Sequence, residues 1–172
     1  MEVIQRLIGA WNDPWLGPPR GGSRFNGSRG VVKSRDFVRA VRQRSGVIIF
    51  VTGSPARGHG HQGATAIGAA FGAIETLMEN LAVEVGLAGV RAVCVRTTAN
   101  TDSRSIQETI DIVDSKLNLS KEEMTARIAG LNFLKVPATV SDTARAAVFV
   151  ASDPARMMTG TVVNSTAGAA AD

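Results

Sequence analysis

The stretch Ile67-Gly68-Ala69-Ala70-Phe71-Gly72-Ala73-Ile74-Glu75-Thr76-Leu77-Met78-Glu79-Asn80-Leu81-Ala82-Val83-Glu84-Val85-Gly86 leads into the short apolar run Val90-Arg91-Ala92-Val93-Cys94-Val95. In the first part Ile67, Phe71, Ile74, Leu77, Met78, Leu81 and Val85 recur at spacings of three and four, so they share one helical face. The spacing predicts a helix from about Ala64 to Val85, with Gly86 and Gly89 placed to stop it. The run Val90–Val95 reads as a strand. Upstream, Val47-Ile48-Ile49-Phe50-Val51 is continuously apolar, a pattern that suits a parallel strand buried on both faces. Downstream, helices are expected near Ser103–Lys116 and Ser120–Ala129, the second opened by a capping box of Ser120 with Glu123. Ser141 is placed to cap a helix Asp142–Ala151, and Thr161-Val162-Val163-Asn164 forms a third strand. This alternation predicts an α/β fold with about three parallel strands, right-handed crossovers and helices on both faces.

The chain has 172 residues, a length that suits one domain. Residues 1–45 carry nine Lys/Arg against three Asp/Glu, whereas residues 46–172 carry ten against twelve. The basic character thus belongs to an N-terminal arm and not to the α/β body at 46–172. Within the arm, residues 1–10 suit a short helix, Pro14–Gly30 is rich in Gly and Pro, and Ser34 is an N-cap for a helix Arg35–Arg44. Its arginines lie among Gly, Pro and Trp without the pattern of a nucleic-acid module, so no nucleic-acid partner is expected. Trp11 and Trp15 are placed to pack the arm onto the body or onto a partner. The first residues lack the basic-then-apolar order of a signal peptide. Glu75, Glu79 and Glu84 interrupt the longest apolar run, so no membrane span and a cytoplasmic protein are expected. There is one Cys, there are two His, and there is no Tyr. These counts exclude an internal disulfide, a Cys-based zinc site and any chemistry that needs a phenolic acid or base.

Gly58-x-Gly60-x-x-Gly63 lies between a strand and a helix, as a dinucleotide-binding loop does. Its first Gly falls six residues past the strand, and the second strand ends in Arg96 in place of the acidic ribose ligand. An Arg there would favour a 2′-phosphate. His59 and His61 share the loop but have no third ligand near them in sequence, and no metal is expected. Cys94 sits among apolar neighbours as a small buried hydrophobe.

From Gly46 onward the chain resembles the C-terminal half of the short-chain dehydrogenase/reductase family. The resemblance rests on Ala73–Gly86 with Gly89–Val93, and on Ser141–Ala144 through Val148–Asp153 with Thr159–Asn164. It implies an incomplete Rossmann-like, doubly wound sheet equivalent to the family's strands five to seven, a truncated form of the family fold. Met1–Ile4 resembles the segment that introduces the family's Asn, with Ile4 in its place. The family's Tyr-x-x-x-Lys falls on Ile67-Gly68-Ala69-Ala70-Phe71, its Ser on Ser54 or, with a one-residue shift, on Gly53, and its Pro-Gly after strand six on Thr97-Thr98. In the family the Tyr exchanges the proton and the Lys lowers its pKa and holds the nicotinamide ribose. Neither Ile nor Phe can do either.

Three functional readings follow. One is an oxidoreductase by descent that lacks Tyr/Lys-dependent hydride transfer. Another is a non-catalytic subunit that forms a homo-oligomer, or pairs with a homologous subunit, through helix 64–85. The last is an NAD- or NADP-dependent oxidoreductase with a non-standard site, catalytic at Ser54, His59 and His61 and binding cofactor at Gly58, Gly60, Gly63 and Thr97. The apolar strand Val47–Val51 loses its family partner on one side, so the arm, a second copy or an intact homologue is expected to cover that edge.

Overall fold

The structure, a computed structural model, describes residues 34–57, 64–117 and 120–171. The expected helix at 1–10, the Gly/Pro-rich stretch, Trp11, Trp15 and the loop that holds Gly58, His59, Gly60, His61 and Gly63 lie outside the described residues. Helix α1 (Ser34–Gln43) leads into strand β1 (Gly46–Gly53), and a 3-10 turn (Ser54–Arg57) follows it. Then come α2 (Thr65–Gly86), β2 (Val90–Thr97), α3 (Arg104–Leu117), α4 (Lys121–Leu131), α5 (Val140–Ala151), a 3-10 turn (Asp153–Ala155) and β3 (Thr161–Asn164). The three strands form one parallel sheet in the order β1-β2-β3. This is the three-stranded parallel α/β layer that the alternation of elements predicts, and the incomplete Rossmann-like sheet that the resemblance implies.

Both faces of the sheet are packed, by different helices. On one face Ile48, Ala92 and Cys94 meet Met78, Ala82 and Val85 of α2, with Ala40 and Val41 of α1 at the margin. On the other, Val93 and Val95 meet Val150 of α5. The central strand β2 is consequently the most enclosed element, with Ala92 through Arg96 all fully buried. In β1 only Ile48 among the apolar run is buried, and Val51 is 43% exposed. The continuous apolar pattern predicts burial on both faces. It does not report that β1 is the outer strand among the described residues, where helices cover it only in part.

Helix α2 has enough length and apolarity, with mean hydropathy 1.2, to meet the composition of a membrane span despite its glutamates. In the fold it lies along the sheet, with Glu75, Met78, Ala82 and Val85 buried against it. The capping box at α4 is present as expected: Ser120 accepts from the Glu123 backbone N–H, and the Ser120 N–H donates to the Glu123 carboxylate. Helix α5 corrects the sequence reading. Its cap is Thr139, not Ser141, in a box closed by Asp142.

Candidate functional site

Ligands of open α/β sheets sit beyond the carboxyl ends of the strands. Here those ends carry Ser54 after β1 and Thr97-Thr98 at the end of β2. Ser54 is 6% exposed, and its hydroxyl lies 3.4 Å from that of Thr98. The partner of Ser54 is thus Thr98, not the candidate Thr97. Thr97 faces elsewhere: its hydroxyl is 2.7 Å from that of Thr143 in α5, and it donates to the Asn100 side-chain carbonyl at 3.1 Å. The Asn100 amide donates to Thr143 Oγ1 at 3.1 Å. This hydroxyl–amide cluster ties the loop after β2 to the start of α5, where Asp102 also accepts from the Val140 N–H. Asn100 and Thr143 have no signal in the sequence that would have linked them across 43 residues.

Ile67 and Phe71, the positions that the resemblance gives to the family's Tyr and Lys, are half-buried on α2. A Cβ placed on Gly53 would stand 2.8 Å from Cε2 of Phe71, so the ring rests against the bare backbone at the end of β1. A Cβ on Gly68 would stand 2.7 Å from the Pro55 carbonyl oxygen, which makes Gly68 the close contact between α2 and the 3-10 turn. The Ile67–Phe71 segment thus seats the helix by apolar packing and offers neither a proton nor a charge to the sheet ends.

One turn further along α2, chemistry-bearing groups do meet, but beneath the surface. Arg96 is fully buried and forms a two-pronged ion pair with Glu75, Nε to Oε1 and Nη2 to Oε2, each at 2.8 Å. Thr52 donates to the same carboxylate at 2.8 Å, and Cys94 Sγ stands 3.3 Å from the Thr52 hydroxyl. Burial alone would raise the Glu75 pKa. Hydrogen bonds from Arg96 and Thr52, with the charges of Arg96 and Arg57, outweigh it and hold the carboxyl below its ordinary value. Burial pushes the Cys94 thiol up, consistent with an inert core residue. Arg96 therefore corrects the sequence reading: its guanidinium is turned into the core and is not presented to a 2′-phosphate. Glu75, which reads in sequence as an interruption of an apolar run, is its buried counter-charge.

A parallel sheet with α2 along one face and α5 on the other defines the class, a Rossmann-like oxidoreductase-type fold. A family profile described as enoyl-(acyl carrier protein) reductase matches residues 28–170. The chain belongs to this family of the short-chain dehydrogenases/reductases. No curated protein matches the sequence. Among solved structures, sorbitol-6-phosphate 2-dehydrogenase from Erwinia amylovora is similar with a TM-score of 0.70 at 22% identity, over 80% of this chain and 54% of that one. A short-chain dehydrogenase/reductase family oxidoreductase from Burkholderia thailandensis has a TM-score of 0.60 at 25% identity, over 77% and 47%. The protein ElxO, with NADP bound, has a TM-score of 0.64 at 19% identity, over 78% and 50%. The chain spans about half the length of these structures.

Proposed function

We propose that this chain is an oxidoreductase by descent that does not carry out Tyr/Lys-dependent hydride transfer. The observation that carries the proposal is the pair Ile67 and Phe71, packed at the positions that the resemblance gives to the proton donor and its partner. The solved relative with NADP favours a nicotinamide cofactor for the family. The described residues of this chain do not fit one. Arg96 is buried against Glu75, the Thr97 hydroxyl is engaged by Thr143 and Asn100, and Phe71 supplies no cation for a ribose. Of the reading that places cofactor at Gly58, Gly60, Gly63 and Thr97, and catalysis at Ser54, His59 and His61, only Ser54, beside Thr98, and Thr97, engaged by α5, fall among the described residues.

A subunit role fits better. The outer face of α2 exposes Leu77 (47%), Val83 (78%) and, just past its end, Leu87 (94%). Burying such side chains against a second copy or a homologous subunit would contribute about 1.5–3 kcal/mol each. A cytoplasmic setting, in which Cys94 stays a thiol, goes with this reading. Light scattering after gel filtration tests it: the wild type is expected to run as an oligomer and the Leu77→Glu/Val83→Glu variant as a monomer. A wild type that is monomeric and takes up no homologous subunit would remove the subunit role.

A further inference from the structure

Residues 103–137, which carry α3 and α4, leave the sheet at the end of β2 and return to it at the start of α5. The two helices pack on each other and, among the described residues, only sparsely on the sheet and the other helices. Hydrogen bonds instead join the two ends of this excursion. The Thr101 N–H donates to the Ala138 carbonyl at 3.0 Å, and Asn100 and Ala138 form a parallel bridge. The Val140 N–H donates to the Asp102 carboxylate at 2.8 Å. Alongside these contacts three half-buried side chains close a ring. Thr97 Oγ1 donates to Asn100 Oδ1 and Asn100 Nδ2 donates to Thr143 Oγ1, each at 3.1 Å, and the Thr143 hydroxyl meets that of Thr97 at 2.7 Å.

The ring is complete in itself. With the Thr143 proton directed at Thr97, each hydroxyl gives its one proton and accepts one, and the Asn100 amide supplies one donor and one acceptor. Its members come from the end of β2, the following loop and α5, so the ring spans the base of the excursion. The resemblance places a Pro at position 97, and a Pro has no side-chain donor to close such a ring. We propose that Thr97, Asn100 and Thr143 are a latch: α3 and α4 open together as one unit, while the latch keeps the end of β2 joined to α5. Parts of a fold that share few contacts with its core open at lower free energy than the core itself, and α3 and α4 meet that condition. Helix α5 does not, because Val150 is fully buried against Val93 and Val95. The opening unit therefore ends at the latch, and the loop that carries Thr98, the neighbour of Ser54, stays in place.

Amide hydrogen exchange of the full chain, read residue by residue by NMR, tests the latch. In the wild type, Thr101 and Val140 are expected to exchange about tenfold or more slowly than Glu108 of α3 and Ala126 of α4. Thr143→Val, which removes the hydroxyl at nearly constant shape, is expected to speed Thr101 and Val140 about tenfold and to leave Val93 and Val95 of β2 unchanged. Thr143→Ser, which keeps the hydroxyl, is expected to behave as wild type. Thr97→Val, which cuts the ring from the other side of the base, is expected to repeat the first variant. The proposal is overturned if Glu108 and Ala126 exchange as slowly as Val95, since the two helices would then open only with the whole fold. It is equally overturned if Thr143→Val leaves Thr101 and Val140 unchanged, or speeds Val93 and Val95 by the same factor. A Thr143→Ser variant that exchanges like Thr143→Val would also overturn it, because shape and not the hydroxyl would then hold the base.

Discussion

Replacing Arg96 with methionine is expected to destabilise the fold by about 3–5 kcal/mol, and Glu75→Leu by a similar amount, measured by urea denaturation. Each single change leaves a charge stranded in a layer where Arg96 is fully buried and Glu75 is 6% exposed. The double variant Glu75→Leu/Arg96→Met is expected within about 1 kcal/mol of wild type, because the cost of burying two charges disappears along with their attraction. The acid side gives a second reading of the same contact. The folded-state pKa of Glu75 lies below its ordinary value of 4.5. Its contribution is therefore complete above that value and is lost as pH falls through the folded-state value. The double variant should lack this component of acid destabilisation. Additive single effects would mean that the two side chains do not act as a pair.

On the same helix, adjacent residues should separate stability from association. Met78 is fully buried among Ile48, Ala82, Val85 and Ala92, so Met78→Ala is expected to cost about 2–5 kcal/mol through lost contacts and a cavity. Leu77 is 47% exposed, and Leu77→Ala is expected to cost less than about 1 kcal/mol of monomer stability. Its effect should appear instead as a weaker oligomer. The inner stripe of α2 holds the sheet, and the outer stripe is what the subunit role uses. If Met78→Ala loosened the oligomer without lowering monomer stability, the assignment of faces would be reversed.

The helix α2 and strand β2 were legible in sequence because periodicity reports which face of an element is apolar. The capping box at Ser120 was legible because both members lie within one turn. What failed was information held in other elements. Val47–Val51 looks buried on both faces by its apolar pattern, and only the resemblance, through strand order, puts it at the edge of the described sheet. Arg96 looks like a strand-end cation available to a ligand, and only the docking of α2 brings Glu75 to it from 21 residues away. At α5, Thr139 and Ser141 are both good caps by type. The carboxylate of Asp142 selects Thr139, a box that the usual Glu or Gln pattern does not flag. At the candidate site, Ser54 and Thr97 were visible as residue types. Their actual partners Thr98, Asn100 and Thr143 became visible only when the loop after β2 was set against α5.

The central proposal is a family fold without the family's acid–base pair. General acid–base catalysis contributes about 10²–10⁴-fold to a rate, so its absence should be plain in a direct assay. The measurement is NADPH and NADH consumption by the purified chain across aldehydes, ketones and enoyl thioesters. The expected result is a rate at the buffer level at every pH and substrate concentration. Saturable turnover that disappears in Ser54→Ala or in His59→Ala/His61→Ala would contradict the account, because it would show a working hydride-transfer site built without the residues at 67 and 71.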